Sequence, residues 1–200
     1  MNDIRGRLSA FSGATQPDFA HSPGRFKPSV ILRTAKNGSQ SQVLRPIQPE
    51  DKPALRRFHS LLSEVTIYKR YFEHFNLDGR IDHRSLSRIC TNDSDSFALV
   101  IERHEGLDQP AEILAMGHLT TMDQPYVAAF TLLMRDEARD LEFDSIMLQR
   151  LIVLARASGF KLLVDDDLVQ NHDLLNLYKK LGFTLHTIPK ENIVRVCLSL

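Results

Sequence analysis

Tryptophan is absent from the 200 residues, cysteine occurs only twice, and acidic and basic side chains balance at 25 each. Each shortage excludes something. Cys90 and Cys197 stand far apart with no C-x-x-C spacing, so neither a disulfide framework nor a zinc site is indicated. A formal net charge of zero, without basic stretches interleaved with aromatics, speaks against nucleic acid as a partner. No apolar run reaches the roughly 18 to 20 residues that span a bilayer, and the N-terminus carries no apolar segment of the signal-peptide kind. A cytoplasmic protein in reducing surroundings is expected, with no membrane partner.

What is present has the make-up of one globular domain. The chain is 42% hydrophobic and 25% charged, and long enough to bury a sizeable core. Its first forty residues differ from the rest. They hold Arg5, Arg7, Arg25, Lys27, Arg33 and Lys36 against Asp3 and Asp18, which leaves an acidic excess downstream. They are also rich in Ser, Gly and Pro, as at 12–17 and 37–40, and bury too little apolar surface to offset chain entropy. Residues 1–41 are therefore expected to form a flexible tail and residues 42–200 the domain. Within the tail, Ser29-Val30-Ile31-Leu32 has the make-up of a short strand, and the acid-poor start also resembles an organellar transit peptide.

From Gln42 the pattern becomes orderly. Strands are predicted at 43–47, 96–101, 113–121, 126–134, 161–164, 183–188 and 194–200, and helices at about 50–62, 65–76, 83–91, 146–157 and 171–181. The 146–157 segment is apolar on nearly all sides, which places it against a sheet, and Gly159 is a well-placed stop. The class is α/β.

Residues 171–183 read NHDLLNLYKKLGF. An Asn opens a short amphipathic helix, a Tyr follows seven positions later, and Leu181-Gly182-Phe183 closes it. This stretch resembles the last helix of the GNAT superfamily, the acyl-CoA-dependent N-acyltransferases, whose usual wording there is N-x-x-A-x-x-L-Y-x-K-x-G-F. The order of predicted elements over 42–200 matches that family too. Leu44-Arg45-Pro46-Ile47-Gln48-Pro49-Glu50-Asp51, with Tyr68-Lys69-Arg70-Tyr71-Phe72, looks most like the acetyltransferase domain of bacterial protein-lysine acetyltransferases. The resemblance implies a mixed, mostly antiparallel sheet flanked by helices. It also implies acetyl transfer from acetyl-CoA to an amine, a small molecule or a protein lysine, by direct attack, and it admits a homodimer.

Carried over residue by residue, the resemblance implies that the backbone of Leu132, Leu133 and Met134 pairs with the pantetheine arm, and that Asn171 hydrogen-bonds it. Tyr178 would return a proton to the departing thiolate, although a Tyr at this offset also fills space between helix and sheet. The family's pyrophosphate turn reads Q/R-x-x-G-x-G/A, because glycines let backbone N–H groups approach an anion at a helix N-terminus. Arg139 takes the Q/R place, but Asp140, Glu142 and Asp144 fall where glycines are common. A carboxylate about 4 Å from a phosphate oxygen costs about 1 kcal/mol in bulk water and about 4 at an effective dielectric of 20. Three readings follow. The acids cap the helix and stand in for the cofactor's anion, or the cofactor sits in a shifted register, or Asp136 joins them around a divalent metal. None of these spacings assigns a metal site.

The usual base, a Glu on the fourth strand, falls near Ala129 here, and His118 on the preceding strand is a substitute with a near-neutral pKa. Asp165-Asp166-Asp167, after the fifth strand, is a solvated acidic turn, a group that coordinates a cation, or an attractor for a basic substrate. Two functions are thus carried forward: an N-acetyltransferase, and a GNAT-like pseudo-enzyme serving as a binding or regulatory module.

Overall fold

Short apolar runs bounded by Gly, Pro, Asn and Asp become strands here, and the helices between them lay apolar stripes on both faces of one sheet. The computed structural model describes residues 17, 19, 29–34, 40–71, 89–106, 110–188 and 190–200. In chain order come β1 (Val30–Thr34), β2 (Gln40–Pro46), a 3-10 turn (Pro49–Asp51), α1 (Lys52–Ser60), α2 (Glu64–Tyr71), β3 (Ser96–Glu105), β4 (Glu112–Thr121) and β5 (Val127–Met134). A second 3-10 turn (Asp136–Leu141) leads into α3 (Phe143–Ala157), then β6 (Leu162–Leu168), α4 (His172–Lys180), β7 (Thr184–Ile188) and β8 (Ile193–Ser199). The sheet order is β1-β2-β3-β4-β5-β6-β8-β7. Neighbours are antiparallel except β5 and β6. This is the mixed, mostly antiparallel α/β architecture that the sequence predicts.

Each face has its own core. On one, Phe143, Met147 and Leu151 of α3 and Leu175 and Tyr178 of α4 pack with Leu119 of β4 and Phe130 of β5. On the other, Leu55 and Phe58 of α1 and Ile67 of α2 pack with Val100 of β3, Met116 of β4 and Leu133 of β5. Burying each such side chain stabilises by roughly 1.5–3 kcal/mol. Gly117 lets α3 seat closely on β4, because a Cβ there would lie 2.6 Å from Met147 Cγ. As the sequence predicts, α3 packs against the sheet and is followed by Gly159 with φ 89, but it is not covered all round: Gln149, Val153 and Arg156 form an exposed stripe.

A part-buried ion cluster ties β2 to β3 and to the start of α1. Arg45 bonds Asp51 through Nη1 (2.6 Å) and Nη2 (2.8 Å), and Glu102 through Nε (2.9 Å). The Gln48 N–H donates to Asp51 Oδ2 at 2.8 Å, so one carboxylate both pairs with Arg45 and closes the turn. Burial would raise the Asp51 carboxyl, but the bonds from Arg45 and Gln48 outweigh it and hold the group below its ordinary value.

Three expectations need correction. Asp165, Asp166 and Asp167, expected as a turn, extend β6 and pair with β8. The boundary drawn after residue 41 falls inside the sheet. Val30 pairs with Leu44 and Ile31 with Val43, and Phe19 is fully buried, its ring stacked on Phe160 at 4.8 Å between centroids. One aromatic and one short strand bury enough surface to recruit these pieces of the tail. The helix predicted from 146 starts instead at Phe143, because that ring is fully buried and anchors the first turn. The predicted helix at 65–76 is seen as α2 to Tyr71; its remainder and most of the 83–91 helix lie outside the described residues.

Candidate active-site cleft

The site begins as a failure of strand pairing. Parallel β5 and β6 match over three positions only, Val127 with Leu162, Ala128 with Leu163 and Ala129 with Val164. Beyond them β5 continues bonded to β4 alone, with Leu132 opposite Gly117 and Met134 opposite Ala115. On its side β6 continues bonded to β8 alone, with Asp165 opposite Val196 and Asp167 opposite Val194. The two strands diverge into a wedge, and backbone N–H and C=O groups line its inner edges. A group that offers alternating amide donors and acceptors can satisfy them.

The wedge opens into a cleft of about 690 Å³. Leu132, Leu133 and Met134 line it from β5, and Asp165, Asp166 and Asp167 from β6. The start of α4 contributes Asn171, Asp173 and Leu174, and its second turn Tyr178. A third wall comes from α2 and the residue before it, through Ser63, Val65, Thr66 and Lys69. Asp136, Arg139 and Asp144 also line the cleft, where the second 3-10 turn meets the N-terminus of α3.

That N-terminus has a specific shape. Glu142 takes a left-handed backbone conformation, φ 60 and ψ 20, and its carbonyl accepts the Ile146 N–H at 3.1 Å. Asp144 Oδ1 accepts the Ser145 N–H at 3.0 Å. A carboxylate of the protein therefore already sits where the helix dipole favours an anion. Arg139 Nη2 donates to Thr66 Oγ1 at 2.8 Å, and its Nε lies 3.3 Å from Asp136 Oδ1. Burial pushes the Asp136 carboxyl up, while hydrogen bonds from Ser63, Thr66 and Arg139 pull it down further, leaving it below its ordinary value.

Across the cleft, Asp167 is 5% exposed and accepts from the Leu168 N–H at 2.7 Å and from Asn171 Nδ2 at 3.1 Å. This bond turns the chain from β6 into α4. Tyr178 is 1% exposed, with its ring 5.7 Å from Phe130 and 5.3 Å from Phe183, centroid to centroid.

No family model matches the chain. Solved structures do. The GNAT domain of S. lividans PAT superposes with a TM-score of 0.70 at 18% identity, covering 86% of this chain and 97% of that one. The PaiA N-acetyltransferase from Thermoplasma acidophilum, crystallised in complex with coenzyme A, gives 0.60 at 14% identity over 80% and 99%. A GCN5-related N-acetyltransferase from Kribbella flavida gives 0.58 at 15% identity over 80% and 98%. This chain has the GNAT fold.

Within the GNAT fold, the structure brings Leu132, Leu133, Met134, Arg139, Asp144, Asn171 and Tyr178 to one cleft. These residues are drawn from β5, the 3-10 turn and α3 on one side and from β6–α4 on the other. Asp140 lies in the same turn, but its side chain is outside the described set. Glu142 is exposed and is not among the cleft's lining; it contributes the backbone conformation of a glycine instead. The Asn171 amide nitrogen is held by Asp167. His118 lies outside the cleft lining, with Nε2 2.7 Å from Ser96 Oγ. Ala129 stands at the wedge's vertex, paired with Val164.

Sequence reasoning did not single out Ser63, Val65 and Thr66 of the α2 wall. Ser63 Oγ accepts the Thr66 N–H at 3.2 Å, a helix-capping contact. The spacing Ser63-x-x-Thr66 was the available signal for that cap. Nothing in it announces that Thr66 reaches Asp136 and Arg139.

Proposed function

We propose that the protein is an N-acetyltransferase that moves an acetyl group from acetyl-CoA to an amine. The observation that carries this reading is the β5–β6 wedge, which sets an open strand edge, a helix N-terminus and the Tyr178 phenol around one cleft. The β5 edge at Leu132–Met134 offers the amide pairing that a pantetheine arm needs. Asn171 and Leu174 close the opposite side. Arg139 and the first turn of α3 face the position of a pyrophosphate. Attack by the amine expels a thiolate, and Tyr178 supplies its proton. With Ala129 at the vertex, the acceptor's proton passes to solvent or to a cleft aspartate. Likeness to the GNAT domain of a protein acetyltransferase favours a lysine side chain as the acceptor, and a cytoplasmic setting supplies acetyl-CoA.

A second reading has its own support. Among the described residues, six aspartates line the cleft (Asp136, Asp144, Asp165, Asp166, Asp167 and Asp173) against Lys69 and Arg139. That balance opposes an anionic nucleotide tail and suits a module that has exchanged its cofactor for another partner. Calorimetric titration with acetyl-CoA and with CoA, with and without magnesium, separates the two. Micromolar binding together with thiol release in the presence of a lysine peptide or polyamine supports the transferase. Absence of binding in every condition leaves the module.

A further inference from the structure

Arg139 is the residue that the cofactor reading assigns to the pyrophosphate, yet its guanidinium is already in use. Thr66, 4% exposed on α2, donates its hydroxyl to Asp136 Oδ1 at 2.8 Å and accepts from Arg139 Nη2 at 2.8 Å. Ser63 Oγ lies 3.2 Å from the same hydroxyl. A buried threonine that both donates to and accepts from a separate element is placed to hold that element, since capping α2 needs only Ser63. The elements it joins are opposite parts of one site: α2, whose Val65 and Lys69 form a cleft wall, and the 3-10 turn that leads to the N-terminus of α3.

We propose that Thr66 and Asp136 form a latch, holding α2 to the pyrophosphate turn through Arg139 in the free protein, and that a diphosphate drawing on Arg139 opens it. Thr66 is a positioning residue that acts through Arg139. This inference rests on the acetyl-CoA reading above and adds its regulation: cofactor arrival frees the α2 wall, and the latch's hold on Arg139 is subtracted from cofactor affinity. Such coupling is reciprocal, so whatever loosens α2 also strengthens diphosphate binding.

Thr66→Val removes the hydroxyl and keeps the shape and charge. Calorimetric titration of CoA into the wild type, T66V, R139A and the double variant reads the coupling. T66V is expected to bind about fivefold tighter, the worth of one net hydrogen bond, and to have no effect in the R139A background. Amide exchange over residues 64–71 is expected to quicken on adding CoA to the wild type and to be fast already in T66V. Thr66→Ser, which keeps the hydroxyl, should restore wild-type behaviour. Should T66V fold poorly, Thr66→Ala, which also leaves every charge in place, serves instead, with a gain that likewise vanishes without Arg139. Wild-type binding with no gain in T66V, or a gain that persists in R139A, overturns the latch and leaves the cofactor reading standing. If wild type and all variants fail to bind CoA, both fall together.

Discussion

Glu142 is the residue that most sharply joins sequence to strain. Its φ of 60 is a conformation that glycine takes freely and that a Cβ makes unfavourable. It falls at a glycine place in the implied pyrophosphate turn, so the turn keeps its shape while carrying an exposed carboxylate. Glu142→Gly is expected to stabilise the fold by about 0.5 to 1 kcal/mol, the relief of strain exceeding the added chain entropy. A thermal melt raised by roughly 2 °C would match a chain of this size, and an unchanged or lower midpoint would deny the strain. Tyr178 poses a different question, because its ring is part of an aromatic cluster and also borders the cleft. Tyr178→Phe keeps the ring contacts with Phe130 and Phe183. If the phenol is the acid, kcat falls about 10²-fold or more while KM for acetyl-CoA holds. A variant that turns over normally would reduce Tyr178 to packing.

At the scale of elements, β2, β3 and the entry to α1 depend on one cation. Removing the Arg45 side chain leaves Asp51 and Glu102 facing each other in a part-buried site, so Arg45→Met is expected to cost about 3 kcal/mol. The Asp51 carboxyl is held below its unfolded value. Its contribution is therefore full above about pH 4, the unfolded carboxylate value, and is lost as pH falls from there through the folded value. Denaturant melts of wild type and Asp51→Asn should differ at neutral pH and converge in acid; parallel curves would remove the cluster from the stability account. The same elements show where sequence is informative. The α4 helix was legible because Asn171, the leucine spacing and Gly182 mark its start, face and stop within thirteen residues. The start of α3 was not legible, since Phe143 stands between Glu142 and Asp144 and reads as loop until its burial is seen. Phe19 was obscured in the same way by Ser- and Pro-rich neighbours, whereas the apolar run at Val30-Ile31-Leu32 did show the make-up of a strand. The latch was out of reach, for Thr66 and Asp136 stand 70 positions apart and each is an ordinary polar residue locally.

For the whole molecule, charge is the property that local patterns conceal. The chain is formally neutral, but among the described residues folding gathers six aspartates against Lys69 and Arg139 around one cleft. Part of that charge is tied down: Arg195 forks onto Asp166 at 2.7 Å through both Nε and Nη2, and Asp167 accepts from Asn171. Asp136 is matched by Arg139. The balance that remains is negative, so an anionic cofactor meets a net repulsive field before it meets the α3 N-terminus. An ordinary anion site attracts its ligand and loses affinity when salt screens the attraction. Here the long-range term has the opposite sign. Screening lengths shrink from about 30 Å at 0.01 M salt to about 3 Å at 1 M, which mutes repulsion from the distant aspartates more than the contacts at hydrogen-bond range. CoA affinity is therefore expected to strengthen as salt rises across that range, and the trend should reverse in a variant carrying Asp144→Asn and Asp173→Asn, where the dipole and Arg139 regain the advantage. Titrations at several salt concentrations, with a neutral pantetheine fragment as the control, isolate the diphosphate's share. Affinity that falls with salt in the wild type would mean that the local donors, not the acidic walls, govern what enters the cleft.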